Sequence, residues 1–499
     1  MTLSTQPKIR QYPCATLCDI SDFLVPRNSA YLKICKPGFT LSTKRRQWEW
    51  NFIAESAENL GLLDGTKIVM GVGTGNEPLL FFFARTCADV LGSDLYSADT
   101  DWSVARFEKH EQIYNSAPFD FPKERLHFVN ADMRKLPVED NSYDFVWSTS
   151  TIEHPASARE VYMAIQEMLR VVKPGGYVLF TTEYCVSEPP YFLPHLNTLD
   201  PYLFGKYFYN NQGFEIIGDV DLEFNWQSIT NDISLRRNVP IPYYKHFDQL
   251  QFYAPQSIVQ SLGFSLVVPI GMVLRKIEGK MKSWDNLGLP QVYLDYASAA
   301  EAFDEKEFNK CYSLIINYGL HNSQSLPLQF YAQLATLILR AKLEIGNPYD
   351  NEALQVYQNV IQRIPYGLHQ DADLLDILAY YASGMDNKEV SSELLYLVVN
   401  STSSIAPHAI SCSLRRMEIL AQLGKEEEGI NFVITTYGAY LSEEKASVPF
   451  ANIMQEIINK SATNPLYQKL RERLKDLLEN QVKTRRQELA AFEQATNKY

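Results

Sequence analysis

The residues best suited to chemistry begin with three alternating glycines, Gly71, Gly73 and Gly75. They follow a short apolar run, Ile68 to Met70, that is typical of a buried parallel strand, and the apolar stretch Leu79 to Ala84 after them predicts a helix. Glycine lets the backbone turn tightly and approach a ligand with no Cβ in the way. A helix N-terminus offers unpaired N–H groups. The order is typical of the first unit of a nucleotide-binding α/β fold, although a tight turn without a ligand is the alternative.

A carboxylate follows the next predicted strand, Ala88 to Asp94. Asp94 lies after Gly75 at about the 20-residue interval at which an acid meets a ribose in this fold. Its carboxylate can accept hydrogen bonds from both ribose hydroxyls. The alternative is that Asp94 caps the helix that follows.

The third predicted strand, Leu126 to Asn130, is followed by Asp132 and Met133. Asp132 is placed to accept the amino group of an adenine, and Met133 offers a soft, polarisable face to the ring. Leu95, after the second strand, and Ser148, after the fourth, complete the predicted cofactor-binding set.

The surrounding elements alternate between strands and helices, so they can hold these residues at one edge of a sheet. A helix over Arg46 to Leu62 precedes the glycine motif, and a helix over Ala156 to Val172 ends at Lys173-Pro-Gly-Gly176. The fifth strand, Tyr177 to Thr182, follows it. This alternation predicts a doubly wound, mostly parallel sheet with its site at the carboxyl ends of the strands.

In order and spacing, these motifs resemble the class I S-adenosylmethionine-dependent methyltransferases over about residues 45 to 276. The resemblance is carried by the glycine triplet, Asp94, Asp132-Met133 before Leu136-Pro137, Asp140-Asn-Ser-Tyr-Asp144-Phe-Val, Ile152-Glu153-His154 and Leu169-Arg170-x3-Pro174-Gly-Gly. It implies S-adenosylmethionine as the cofactor and a seven-stranded sheet. The last two strands would be Phe214 to Val220 and Ser265 to Arg275, the final one antiparallel.

The motif departs from the family at one position. Members usually carry an acid two positions before the first loop glycine, where it helps to hold the amino group of the cofactor, and this chain has Val69. Glu77, just past the loop, is the candidate substitute. The Gly-x-Gly-x-Gly-x-Glu-Pro form of the loop also resembles a subgroup found with bacterial surface-polysaccharide genes.

The chemistry implied by the resemblance needs little from the protein, because the sulfonium of the cofactor already activates its methyl group and placement of the acceptor supplies much of the acceleration. An alcohol acceptor would also need a general base. Glu153 and His154, after the fourth strand, and Glu183, after the fifth, are the catalytic candidates; for His154 the alternative is a helix-start residue with no proton-transfer role. Tyr191, His195 and Asn197, in an aromatic and proline-rich insertion, are the predicted substrate contacts.

The composition limits the other classes. The chain has 499 residues, 46% of them apolar, and a formal net charge of −13, which argues against a general nucleic-acid binder. Seven scattered cysteines without paired spacing indicate reduced thiols and no metal site. With no apolar leader and no long apolar run, we expect no membrane span and a cytoplasmic location.

The chain divides into three predicted parts: an N-terminal extension over residues 1–45, a methyltransferase-like domain over 46–280 and a helical domain over 290–499. In the last part a weak repeat of roughly 40 residues resembles tetratricopeptide repeats, and an irregular helical bundle is the alternative. These helices could bind a partner protein or a second copy.

The combined prediction is an enzyme that methylates an oxygen of a sugar, glycan or related small acceptor. The alternative from another class is a non-catalytic scaffold whose helical repeats bind partners. A nicotinamide dehydrogenase is a third reading, but its loop requires a glycine where this chain has Asn76.

Overall fold

The computed structural model describes most of the chain in segments. These are residues 11–19, 22, 29–35, 45–97, 105, 107, 111–186, 197–209, 211–224, 260–262, 265–321, 325–326, 328–363, 372–401, 407–437, 448–477 and 479–480. They form two compact units, one reaching Ala341 and the other beginning at Lys342.

The strands all belong to one sheet. They are β1 (Ala15–Leu17), β2 (Ile68–Val72), β3 (Asp89–Asp94), β4 (Leu126–Asn130), β5 (Tyr143–Thr149), β6 (Val172–Cys185), β7 (Phe214–Ile216), β8 (Val220–Asp221), β9 (Gln260–Leu262) and β10 (Ser265–Lys276).

The helices are distributed over both units. They are α1 (Ala30–Cys35), α2 (Arg45–Asn59), α3 (Pro78–Thr86), α4 (Glu111–Tyr114), α5 (Ala158–Val171), α6 (Pro201–Phe204), α7 (Gln291–Asp304), α8 (Phe308–His321), α9 (Leu328–Ile345), α10 (Asn351–Arg363), α11 (Ala372–Gly384), α12 (Lys388–Ser401), α13 (Pro407–Gln422), α14 (Glu426–Tyr437) and α15 (Val448–Ser461). A further helix covers residues 465–477.

The sheet runs in the order β4-β3-β2-β5-β6-β10-β1-β8, and β7 and β9 also pair with β10. The pairs from β4 to β6 are parallel, whereas β10 is antiparallel to β6. The strand order reverses between β2 and β5, which is the switch point where α/β sheets bind ligands. The predicted doubly wound sheet with an antiparallel final strand is therefore confirmed.

The N-terminal part of the chain is integral to this sheet. β1 pairs with β10 in antiparallel fashion and with β8 in parallel fashion, although the sequence analysis assigned residues 1–45 to an extension. The indole of Trp48 on α2 donates to Asp22 at 2.9 Å, and Tyr12 packs edge-on against Phe52. These contacts tie residues that precede α2 to the helix, which is buried on most of its surface.

The segment between the sheet and the helical region is packed rather than free. Trp284 is buried against Tyr162 of α5, and the Tyr162 hydroxyl donates to the carbonyl of Lys282 at 2.8 Å. Glu301 of α7 accepts hydrogen bonds from Ser157 and Arg159 at the start of α5. α7 and α8 thus belong to the same compact unit as the sheet, and the domain boundary at residues 280 to 290 stays a prediction.

The region after the sheet is helical, as predicted. Its turns repeat one geometry: Lys306, Asp386 and Gly424 each have positive φ, and the next residue donates its N–H to a carbonyl five residues back. This is the Schellman arrangement that ends a helix before a sharp turn. The spacing of the last two turns is close to the roughly 40-residue period, while the assignment to a tetratricopeptide-like stack stays a prediction.

The described residues hold neither a helix suited to a membrane nor a group of metal-binding side chains. None of the helices in those segments combines the length and apolar character needed to cross a membrane. In the same segments, His, Cys, Asp and Glu side chains form no group of three that could hold a metal ion.

Candidate active site at the carboxyl edge of the sheet

The glycine loop after β2 requires glycine at its first two alternating positions. A Cβ on Gly71 would lie 2.4 Å from the indole of Trp147, and one on Gly73 would lie 2.1 Å from Thr151 Cγ2. Gly73 and Gly75 also have φ of +66° and +49°, in the left-handed region that side chains disfavour. The loop is therefore pressed against the end of β5 and the turn that follows it.

Replacing Gly73 by alanine is expected to weaken cofactor binding at least tenfold, because the new methyl group displaces Thr151 and with it the loop. The hydroxyl of Thr151 donates to the Gly73 carbonyl at 2.9 Å, so the two residues move together. Isothermal titration with S-adenosylhomocysteine measures the loss. Gly61→Ala is the matched control: Gly61 has φ +69° but open space around its Cβ position, so this variant carries the backbone strain alone. Equal losses in both variants would contradict the steric argument.

Asp94 ends β3 directly beside the glycine loop. Its carboxylate accepts the Gly75 N–H and the Leu95 N–H, each at 2.7 Å. Burial raises the pKa of Asp94, and these two hydrogen bonds oppose the shift. Each oxygen keeps a free lone pair after one N–H contact. The side chain of Leu95 is 58% exposed next to this carboxylate, as an apolar surface that could cover a ring.

Glu77 places a second carboxylate at the start of α3, where it accepts the indole N–H groups of Trp147 at 2.7 Å and Trp50 at 3.1 Å. Burial raises the pKa of Glu77 to about 7, against the lowering effect of these donors and of Arg46. Val69 is fully buried in β2, and its side chain has no polar atom that could bind the amino group of a cofactor.

The structure does not support two of the predicted cofactor contacts in the form expected. Asp132 is held by Arg134, whose Nε lies 3.0 Å from both carboxylate oxygens and whose backbone N–H lies 2.8 Å from Oδ1. This fork lowers the pKa of Asp132 and takes up its acceptor capacity, so it is not free to receive an adenine amino group. Ser148 is buried and donates to the Val72 carbonyl at 2.9 Å, which ties β5 to β2. Met133, between Asp132 and Arg134, is half-buried.

Two of the three predicted catalytic residues, Glu153 and Glu183, lie close together near the turn after β5. Glu153 and Glu183 are 1% and 2% exposed, and the hydroxyl of Thr182 donates to Glu153 Oε2 at 3.0 Å. Burial, and then the charge of Glu183, raises the pKa of Glu153 to about 8. Burial also raises the pKa of Glu183, although Arg45 opposes that shift. His154 is half-buried on the same turn, and its backbone N–H donates to the Thr151 carbonyl at 3.1 Å.

Of the predicted substrate contacts, Asn197 is buried and supports the turn that carries Glu153. Its backbone N–H donates to the Glu153 carbonyl at 2.7 Å, and its side chain donates to the Pro155 carbonyl at 2.6 Å. Tyr191 and His195 lie outside the described residues.

The sequence analysis missed the contribution of α2 to this site. Arg45 forms an ion pair with Glu183, and Arg46 lies 3.1 Å from Glu49 and 3.0 Å from the Thr149 carbonyl. Glu49 is fully buried and also accepts the Ser150 hydroxyl at 2.8 Å. Acid and base spaced three and four residues apart on a predicted helix were the available signal, but that spacing is more often a solvated surface pair.

Residues 70–180 match the family model of a methyltransferase domain. The chain is 43% identical over 120 residues to a malonyl-[acyl-carrier protein] O-methyltransferase of Marinomonas sp. (strain MWYL1), a match covering 24% of this chain and 39% of that protein. It is 29% identical over 197 residues to a sarcosine/dimethylglycine N-methyltransferase of Aphanothece halophytica, covering 38% and 63%. The chain therefore spans less than two thirds of the length of either relative.

Among solved structures, an S-adenosylmethionine dependent methyltransferase from Mesorhizobium loti is similar in fold, with 13% identity and a TM-score of 0.26 over 46% of this chain and 100% of that one. The sheet order and the family match confirm the predicted class I methyltransferase fold for the α/β part, with S-adenosylmethionine as the cofactor of such domains.

Proposed function

We propose that this chain transfers a methyl group from S-adenosylmethionine to a hydroxyl of a sugar, glycan or related small acceptor. The observation that carries the proposal is the contact between Asp94 and the Gly75 N–H at the strand switch point, within the segment that matches a methyltransferase domain. In this contact, the carboxylate that we expect to accept hydrogen bonds from the ribose lies beside the glycine loop, and the loop leads into the N-terminus of α3.

The residues around the loop fit the parts of the cofactor. Asp94 offers free lone pairs to the ribose hydroxyls, Leu95 and Met133 offer apolar surface to the adenine, and Glu77 offers a carboxylate to the amino group of the methionine part. When bound, the cofactor supplies a methyl group that its sulfonium has already activated. Glu77 takes the place of the acid that the family usually carries at the position of Val69.

Glu77→Gln is expected to weaken binding of S-adenosylhomocysteine at least tenfold, because the ammonium loses a charged hydrogen-bond partner. Binding of 5′-methylthioadenosine, which lacks the amino-acid part, should not change, and this serves as the control for an intact nucleoside site. In the unchanged protein, cofactor binding should release a proton near pH 6.5, because an adjacent ammonium lowers the raised pKa of Glu77. Calorimetry in buffers of different ionisation enthalpy measures this proton release. If no proton is released, and Glu77→Gln weakens binding of S-adenosylhomocysteine and 5′-methylthioadenosine equally, Glu77 does not bind the amino group.

The hydroxyl acceptor is supported by the state of Glu153. An alcohol must lose its proton as it is methylated, and a carboxylate whose pKa has been raised toward neutrality is a stronger base than an ordinary one. One relative is named as an O-methyltransferase and the other as an N-methyltransferase, so their names do not distinguish an oxygen acceptor from a nitrogen acceptor. The sugar or glycan class rests on the form of the loop motif and on the polar surroundings of Glu153.

The test is methyl transfer itself. The intact chain is incubated with S-adenosylmethionine and a set of methyl glycosides of common hexoses, and formation of S-adenosylhomocysteine is measured. We expect one or more of these neutral hydroxyl acceptors to increase its formation well above the rate without acceptor. Cofactor binding without stimulation by any hydroxyl compound, combined with stimulation by an amine or a carboxylate, would contradict the acceptor class.

The non-catalytic scaffold remains the second candidate, and one observation favours it. Position 69 holds a fully buried valine in place of the family acid, and the carboxylate of Glu77 is already engaged by two indole N–H groups. In that case the helices after residue 290 would bind a partner protein or a second copy, and the α/β part would bind the cofactor weakly or not at all.

A further inference from the structure

Five charged side chains from three elements meet at the acceptor side of the site. Arg45 and Arg46 of α2 pair with Glu49 of the same helix at 3.4 and 3.1 Å, and Arg45 also pairs with Glu183 of β6. Glu153, on the turn after β5, lies close enough to Glu183 for their charges to interact. The cluster borders the cofactor loop, because Arg46 donates to the Thr149 carbonyl at the end of β5.

Two atoms of this cluster are buried without a hydrogen-bond partner among the residues that the structure describes. They are Nη1 of Arg45 and Oε2 of Glu183, which belong to the two side chains of a single ion pair. Glu183 is 2% exposed, so its carboxylate is largely desolvated. Buried charged groups are rarely left with unpaired atoms, because the desolvation they suffer is then not compensated. The same ion pair therefore carries one unused donor and one unused acceptor.

The charges decide what kind of ligand fits between them. The two guanidinium groups are paired with the carboxylates of Glu49 and Glu183. No positive charge is left over for a phosphate or carboxylate, and the guanidinium of Arg45 repels an ammonium. A pair of neutral hydroxyls satisfies both atoms, since one hydroxyl accepts from Arg45 and its neighbour donates to Glu183.

We propose that Arg45 and Glu183 form a clamp for two hydroxyls of a neutral polyhydroxylated acceptor, such as an unphosphorylated, non-acidic sugar. The clamp rests on the proposed methyl transfer and adds to it the substrate class and the residues that select it. Glu183 then contacts the acceptor as a specificity residue, and proton removal is left to Glu153.

The first measurement compares acceptors with the unchanged chain. Methyl hexosides, the corresponding hexose 6-phosphates, uronic acids and hexosamines are tested for transfer of labelled methyl from S-adenosylmethionine. The neutral glycosides are expected to have the highest kcat/KM. If none is methylated, their binding is measured by saturation-transfer NMR in the presence of S-adenosylhomocysteine. Higher kcat/KM for a charged sugar, or no binding of any neutral glycoside by a chain that binds the cofactor, would overturn the clamp and leave the cofactor site standing.

The second measurement changes the charge of the clamp by substituting one of its two residues at a time. Glu183→Gln leaves the guanidinium groups of Arg45 and Arg46 to share the carboxylate of Glu49, so the ratio of kcat/KM for a uronic acid over the neutral glycoside should rise at least tenfold. Arg45→Gln leaves Glu183 unbalanced, and the ratio for a hexosamine should rise instead. Glu215→Gln removes an exposed partner of Arg275 and is the control, with no change expected. Each variant is checked by its affinity for S-adenosylhomocysteine, which should be unchanged. If the variants bind the cofactor but lose activity toward all acceptors equally, the ion pair has a structural role only.

Discussion

Asp94→Ala is expected to weaken binding of S-adenosylmethionine at least tenfold. The ribose hydroxyls lose a charged acceptor, and a hydrogen bond to a charged group contributes about 1.5–3 kcal/mol. The loop also loses a support, because the carboxylate of Asp94 fixes the Gly75 N–H at 2.7 Å. Both effects act on the cofactor, so the loss should appear in the dissociation constant measured by isothermal titration.

Asp140→Ala is the matched control for this substitution. Asp140 also lies in a family motif, but its side chain is 67% exposed and pairs with Arg170 at 2.7 Å away from the loop. We expect unchanged cofactor affinity in this variant. An Asp94→Ala protein that is folded, by its near-UV circular dichroism, and keeps the affinity of the unchanged chain would reject the assignment of the ribose site.

Glu153→Gln is expected to lower turnover by about 10²–10⁴-fold and to leave cofactor affinity unchanged, because it removes a general base and no cofactor contact. In the unchanged chain turnover should rise about tenfold per pH unit up to about pH 8, since only the ionised carboxylate takes the proton. The variant should lose this rise. If turnover of the variant still rises with pH in this range, the general base is a group other than Glu153.

The stability of the same variant gives an independent check on the protonation of Glu153. A carboxyl whose pKa is raised by folding binds more protons in the folded than in the unfolded state between about pH 4.5 and 8. The free energy of unfolding contributed by Glu153 therefore falls as pH rises through that window. Relative to the unchanged chain, the melting temperature of Glu153→Gln should increase from pH 5 to pH 8; a constant difference would show that Glu153 is ionised throughout.

The glycine loop and its position beside Asp94 could be predicted from sequence because their determinants are local. The strand, the glycines and α3 are adjacent along the chain, and the interval from Gly75 to Asp94 is fixed by one helix and one strand. Nothing in the sequence indicated the contact at Asp132, where Arg134, two residues away, turns back onto the carboxylate. A motif read one residue at a time gives no sign of such a local partner.

The acceptor half could not be predicted because its determinants are distant in sequence. Arg45 and Glu183 are 138 residues apart, and Ser150 and Glu49 are 101 apart. The pattern of α2 predicted one apolar face, whereas the helix also carries the buried Glu49, which accepts hydrogen bonds from Arg46 and Ser150. Ser150 is distant along the chain, and no periodicity within α2 could show this contact.

The measurement that tests the central claim most directly is a calorimetric titration of the intact chain with S-adenosylmethionine, compared with NAD under the same conditions. The geometry around Gly75 and Asp94 predicts saturable binding of one S-adenosylmethionine per chain, lost in Asp94→Ala, and no binding of NAD. Binding of NAD in place of S-adenosylmethionine would indicate a dehydrogenase. A folded chain that binds neither would contradict the proposed methyltransferase and favour the scaffold.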